Sequence, residues 1–264
     1  MSSSGQKRAR EDESLPHPPP LIISLDGNIG AGKSTLLEIV SSACSEYECV
    51  TEPVAAWCSF SMEGKSLLEH FYENKKRYAF SFQSFALLSR IKTMRDAMTN
   101  SKKRVIITER SVLTDKHVFA EMLRESKDMT SMEWDMYSQV FDDHAGSFPL
   151  KAIIYIDTDS STSKERIIKR GRAGESSIST EFLSDLERQH LKWIESTSLP
   201  VCRISTSAGP ESNVASINKF VESLLNGEKV EESDDAKKAK LLHLQADNDK
   251  ENVPPAASAT LLEM

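Results

Sequence analysis

Five short apolar, β-branched runs punctuate the chain at residues 21–25, 49–51, 105–108, 152–156 and 201–204, each followed by polar or helix-forming sequence. Strands that read as continuous apolar runs, alternating with helical stretches, predict βα units. The expected architecture is α/β, a five-stranded parallel sheet with helices on both faces. Between the second and third runs, residues 67–98 carry Phe71, Tyr78, Phe82 and Phe85, separated by seven, four and three positions. That spacing predicts a long helix, with Asn74 the place for a break. Residues 1–20 are polar and end in Pro16-His17-Pro18-Pro19-Pro20, while residues 227–264 are charged and then Pro-rich. Neither segment has the apolar content to offset its ordering entropy, so both are expected to be disordered around a folded domain at 21–226.

In open parallel sheets ligands gather beyond the carboxyl ends of the strands, and the residues just past each run are polar. After the first comes Gly27-Asn28-Ile29-Gly30-Ala31-Gly32-Lys33-Ser34, with Thr35 opening an apolar helical run. A strand that feeds G-x-x-x-x-G-K-[ST] into a helix aims backbone N–H groups and a helix N-terminus at one point, where a polyphosphate can sit. The glycines let the main chain approach phosphate oxygens, Lys33 neutralises them, and the Ser34 hydroxyl can hold Mg²⁺. A nucleoside triphosphate is the implied ligand. Glu52 follows the second run and Glu109-Arg110 the third, offering a group to orient or deprotonate an acceptor hydroxyl, a further metal ligand and a fixed cation. Ordinary charged strand ends are the plainer alternative.

Gln83, Ala86 and Arg90 lie at i, i+3 and i+7 and share one helix face. Beside Phe82, that face offers a nucleobase a stacking ring, an amide and a cation; a solvent-facing polar stripe explains it equally well. Arg166, Arg170 and Arg172, with Gly171 and Gly174 nearby, read either as a mobile arginine lid over the triphosphate or as a solvated helix face. A GTPase switch is disfavoured, because N-K-x-D is absent and Asp143-His144-Ala145-Gly146 follows no strand.

Composition narrows the class further. The net charge of −7 is uneven, since residues 228–264 hold nine acidic side chains against five lysines. The folded part is mildly acidic, without the broad basic face that duplex nucleic acid requires. Cys44, Cys49, Cys58 and Cys202 show no metal-ligand spacing, which suits reduced thiols. No apolar run approaches the length of a membrane span, and no signal-peptide core is visible. A cytoplasmic or nuclear location without membrane contact is expected.

Five motifs in order, the glycine loop, Glu52-Pro53-Val54-Ala55-Ala56-Trp57, residues 78–91, Glu109-Arg110-Ser111-Val112 and Arg166-Ile167-Ile168-Lys169-Arg170-Gly171-Arg172, resemble those of the deoxyribonucleoside kinases. The resemblance covers about residues 21–195. It implies a P-loop kinase fold with an arginine-rich lid, a homodimer, and transfer of the γ-phosphate of ATP or another triphosphate to the 5′-hydroxyl of a deoxynucleoside in nucleotide salvage. By motif, Glu52 resembles the general base, Arg110 its charged neighbour, and Ser34 with Glu109 the Mg²⁺ ligands. Lys33, Arg166, Arg170 and Arg172 would hold donor phosphates. Tyr72 and Glu175 resemble the grip on the sugar 3′-hydroxyl, and Gln83 the base-pairing amide between Phe82, Phe119 and Trp57.

Arg90 and Asp115 match the charged pair of deoxycytidine and deoxyguanosine kinases, where thymidine-accepting relatives are uncharged. A carboxylate accepts from an exocyclic amino group, whereas thymine offers O4 and a methyl group there, so deoxycytidine and purine deoxynucleosides are expected over thymidine. Phe71 is bulkier than the residue expected beside the sugar. Another P-loop small-molecule kinase, such as a nucleoside monophosphate kinase, would place acceptor-phosphate arginines where Tyr72 and Gln83 stand. A regulatory protein without turnover would dispense with Glu52 or Arg110. Lys250-Glu251-Asn252 reads as a K-E-N box for a ubiquitin ligase, and Lys7-Arg8-Ala9-Arg10 as a nuclear-import candidate.

Overall fold

The computed structural model describes residues 19–228; the K-E-N segment 250–252 and the basic segment 7–10 lie outside them. A five-stranded parallel sheet runs in the order β2 (Tyr47–Val50), β5 (Val105–Glu109), β1 (Leu21–Gly27), β6 (Leu150–Asp157), β7 (Val201–Ser205). β1 is central because it is apolar on both faces. Its Ile22 packs into one hydrophobic cluster and its neighbour Ile23 into the other, as the two-residue period of a strand demands. The Ile23 side is closed by α1 (Lys33–Ala43) and α10 (Pro210–Leu225), through Leu36, Leu37, Val40, Ile217, Phe220 and Val221. The Ile22 side is closed by α4 (Lys75–Asn100), α7 (Ser131–Ala145) and α9 (Thr180–Ser196).

The expected helix over 67–98 is two helices. α3 (Leu67–Glu73) ends where the Asn74 backbone N–H donates to the His70 carbonyl, and α4 begins where the Asn74 side chain accepts from the Arg77 N–H, so one residue closes one helix and opens the next. Ahead of α3, α2 (Val54–Ser59) leads into a hairpin, β3 (Ser61–Met62) and β4 (Lys65–Ser66), turned by Glu63 and Gly64 at positive φ. That hairpin has too few residues to show a period, and nothing in the sequence pattern announced it. The second run also shifts: β2 occupies Tyr47–Val50, so Thr51 is a loop residue.

β5 hands the chain to α5 (Val112–Thr114), a π-helical segment over Asp115–Ala120, and α6 (Glu121–Glu125). A π-turn widens the helix and re-aims the side chains it carries. α8 (Ser160–Arg170) runs so close to the glycine loop that a Cβ at Gly30, whose φ is +82°, would meet the Ser163 carbonyl oxygen at 2.4 Å. Position 30 is therefore open only to glycine. Asp143-His144-Ala145-Gly146 forms the C-terminal end of α7 rather than a post-strand loop.

Candidate active site

The carboxyl ends of β1, β2 and β5 open onto a cleft of about 930 Å³. Its wall contains Glu52, Trp57, Tyr72, Phe82, Gln83, Arg90, Arg110, Asp115, Phe119 and Glu175, so the fold brings together all ten residues expected around an acceptor. A second groove of about 1480 Å³ shares Gly30, Lys33, Ser34, Glu109, Arg170 and Arg172 with it and continues over Gly32, Thr35 and Arg166. The two spaces meet at the end of the glycine loop.

At that junction the Lys33 ammonium donates to the Gly27 and Asn28 carbonyl oxygens at 3.0 and 2.7 Å. Burial, followed by the nearby Arg110 cation, lowers its pKa to about 7, even though Glu109, Glu52 and Asp26 pull the other way. The Ser34 hydroxyl donates to the Glu109 carboxylate, 3.0 Å from both oxygens. A hydroxyl beside one carboxylate suits Mg²⁺, which commonly takes one or two carboxylates and completes its shell with phosphates and water. Arg166 donates to the Ala31 carbonyl at 3.2 Å, tying α8 to the loop. Gly27, Asn28 and Ala31 line neither space. The Asn28 side-chain amide donates to the Leu183 carbonyl and its Oδ1 accepts from the Ile29 N–H, so its side chain secures the loop to α9.

Glu52 is held between two guanidiniums. Arg110 Nη1 donates to both of its oxygens at 2.8 and 2.7 Å, and Arg90 Nη2 to one of them at 2.8 Å. Burial alone would raise its pKa, but the two guanidiniums outweigh burial and take it down to about 2. Arg110 reaches Glu52 from a backbone φ of +60°, a left-handed conformation that a bulky side chain seldom adopts. The turn is held by the Arg110 N–H donating to the Leu25 carbonyl and by the Thr108 hydroxyl donating to the Arg110 carbonyl. Strain of this kind persists where the surroundings over-determine it, and it is concentrated at functional sites.

The face of α4 that could have been a solvated stripe is buried: Gln83 is 1% and Arg90 2% exposed. Gln83 Nε2 donates to Asp115 Oδ1 at 2.9 Å. Arg90 lies nearer Glu52 than Asp115, 2.8 against 3.9 Å, and also donates to the Glu109 carbonyl. The expected Arg90–Asp115 pair is therefore a secondary contact of an arginine whose first partner is Glu52. Burial is the largest influence on Asp115 and, with so little charge to offset it, lifts its pKa to about 7.

Aromatic rings floor the cleft. Phe71, the bulky residue of the sugar side, stacks on Phe82 at 4.4 Å between centroids; Trp57 meets Phe82 edge-on at 5.5 Å, and Phe119 lies under the Arg110 guanidinium at 4.8 Å. Tyr72 is held un-ionised by burial and by the Glu175 charge. Glu175, buried, accepts from Arg170 at 2.6 and 3.1 Å and from Arg172 at 2.9 Å, so two of the three clustered arginines are engaged within the cleft. Thr206 and Gly209, from the turn after β7, and Pro210 and Asn213, from the first turn of α10, line the far wall of the second groove. Sequence reasoning missed them, although the Gly209-Pro210 helix start just beyond a predicted strand end was a usable signal.

The positions where acceptor-phosphate arginines would stand in a monophosphate kinase carry Tyr72 and Gln83. A family model described as deoxynucleoside kinase matches residues 23–227. Deoxycytidine kinase of Homo sapiens is 35% identical over 193 residues, which is 65% of this chain and 74% of that protein. Deoxycytidine kinase 2 of Gallus gallus is 33% identical over 215 residues, covering 74% and 77%. The mitochondrial deoxyguanosine kinase of Xenopus laevis is 30% identical over 191 residues, covering 65% and 72%. With a glycine loop, a buried acceptor cleft and a match across the whole folded domain, the chain belongs to the deoxynucleoside kinase family, transferases that pass a phosphoryl group from a nucleoside triphosphate to a deoxynucleoside.

Proposed function

We propose that the enzyme phosphorylates the 5′-hydroxyl of deoxycytidine and of purine deoxynucleosides in preference to thymidine, with ATP or a similar triphosphate as donor. The observation that carries this reading is the buried Asp115–Gln83 pair at the base end of the cleft. A carboxylate joined to an amide offers acceptors to an exocyclic amino group; opposite thymine it would face O4, another acceptor, and the methyl group would need space. Burying a polar group without a partner costs roughly 1–3 kcal/mol, enough to rank the bases.

In this reading the base slides between Phe82 and Phe119 and pairs with Gln83, while Tyr72 and Glu175 hold the sugar. The 5′-hydroxyl then meets Glu52. With its pKa near 2, Glu52 is ionised and a weak base. Its work is to accept the alcohol's hydrogen bond and align the oxygen, taking the proton late. That suffices for phosphoryl transfer, whose loose transition state asks more of positioning and charge than of deprotonation. Lys33, Arg166, Arg170 and Arg172 neutralise the donor phosphates, and Ser34 with Glu109 would hold Mg²⁺. Bound there, the ion offsets charge on the transferring group.

A homodimer is proposed from α7, whose Met132, Met136 and Val140, four residues apart, are 73%, 50% and 36% exposed, and from Leu88 of α4, which is also exposed. A cytoplasmic setting, with nuclear entry through residues 7–10, is proposed on the four free cysteines. Among the described residues no helix is long and apolar enough to cross a membrane. Steady-state kinetics on the four deoxynucleosides test the base preference; thymidine as best substrate overturns it.

A further inference from the structure

α7 has two apolar faces. Met132, Met136 and Val140 face outward, whereas Trp134, Tyr137 and Phe141 face the π-helical segment and enclose Lys116, whose ammonium lies 4.5, 5.8 and 5.0 Å from their ring centroids and donates to Ser138 Oγ at 2.6 Å. This cage fixes the residue next to Asp115. The ring of Tyr137 belongs to the cage, but its hydroxyl continues past it to the side chains of Gln83 and Asp115. There it is a buried donor without a hydrogen-bond partner among the described residues, and Asp115 Oδ2 is a buried acceptor in the same condition. Two orphaned complementary groups side by side are costly unless some state of the protein joins them.

We propose that Tyr137 is a positioning residue for base selection: its hydroxyl donates to Asp115 Oδ2 in the nucleoside complex and holds the Asp115–Gln83 pair in the orientation that receives an exocyclic amino group. The inference rests on the base-recognition reading above. With Tyr137 on Oδ2 and the Gln83 N–H on Oδ1, Asp115 stays ionised and the Gln83 amide cannot turn over. Its Oε1 therefore remains an acceptor for an incoming amino group. Without the phenol the carboxyl can rotate or protonate, and the amide can present either edge. The groups that act on Asp115 are Arg90 and Gln83 from α4, Glu52 beyond β2, Arg110 beyond β5 and Tyr137 from α7.

The test is Tyr137→Phe, which deletes one oxygen and keeps the ring in its cage, assayed beside Asp115→Asn on deoxycytidine and thymidine over pH 6–8.5. Loss of a hydrogen bond to a charged group predicts a fall of about tenfold in the deoxycytidine-to-thymidine ratio of kcat/KM. It is expected through KM for deoxycytidine with kcat nearly held, and with the pH midpoint of the preference moved upward. Site-specific 3-fluorotyrosine, a more acidic donor, should preserve or raise the ratio and move that midpoint down. A ratio within roughly twofold of the parent and an unmoved midpoint in Tyr137→Phe, while Asp115→Asn collapses the preference, overturn the role of Tyr137 and leave the base reading standing. An unchanged ratio in Asp115→Asn overturns both. Should Tyr137→Phe fail to fold, a fluorotyrosine protein with the parent's ratio and midpoint overturns the role.

Discussion

The two ends of the acceptor cleft each hold a carboxylate, and the two carboxylates are driven in opposite directions. Glu52 receives three hydrogen bonds from Arg110 and Arg90 and sits near pKa 2; Asp115 receives a neutral amide, has Arg90 only at 3.9 Å, and sits near 7. Burial is the first influence on both. What separates them is how many cations lie within contact distance, and Arg90, standing between them, gives its short bond to Glu52. Glu52 is thereby fixed in charge at every physiological pH, while Asp115 changes charge within the physiological range.

The largest effect that tests this contrast is at the reaction end. Glu52→Gln keeps the shape and removes the proton acceptor, so kcat should fall by about 10²–10⁴-fold, with the KM for nucleoside changed far less. A Glu52→Gln enzyme with parental kcat would end the mechanism. At the base end, Asp115→Asn should lower the deoxycytidine-to-thymidine ratio of kcat/KM by roughly 10–100-fold, measured at pH 8. In the parent the preference should strengthen as pH rises through 7, because the ionised carboxylate holds the Gln83 amide in its accepting orientation; a flat parental profile would contradict the raised pKa.

Stability gives a smaller and oppositely signed pair. Glu52 has its folded pKa below its unfolded value of 4.5, so it stabilises the fold above pH 4.5 and loses that contribution as pH falls toward 2. Asp115 has its folded pKa above its unfolded value of 3.8, so its contribution is complete below pH 3.8 and is lost as pH rises toward 7. Melting curves should show that Glu52→Gln removes part of the acid fall in Tm and Asp115→Asn part of the decline between pH 4 and 7. At this size each kcal/mol corresponds to roughly 2–4 °C.

Much of this was legible in the chain, for reasons that differ from residue to residue. The five strands could be read because each carries a short apolar, β-branched run, and the break at Asn74 because one Asn side chain can end one helix and start another. Six of the ten cleft residues could be assigned because they lie within the quoted motifs, whereas Tyr72, Asp115, Phe119 and Glu175 lie outside them, Glu175 placed only by its distance from Arg172. What stayed hidden depends on geometry without period. The two-strand hairpin at 61–66 is too short to pattern, and the π-turn at Asp115–Ala120 breaks helical spacing by one residue. Gln83 and Arg90 look alike on a buried or an exposed face until the opposite wall is known. The preference of Arg90 for Glu52 arises from a fold-back between segments 38 residues apart.

Glu175 is claimed from two sides. It is buried, and its two oxygens already carry hydrogen bonds from Arg170 and Arg172. Any hydroxyl that reaches it from the cleft must share those oxygens and so loosens the arginines that face the donor groove. Affinity for one ligand thus becomes a function of the other's presence, and reciprocity makes the factor the same in both directions. Titrations of each ligand at fixed levels of its co-substrate would express it as a single interaction constant different from one.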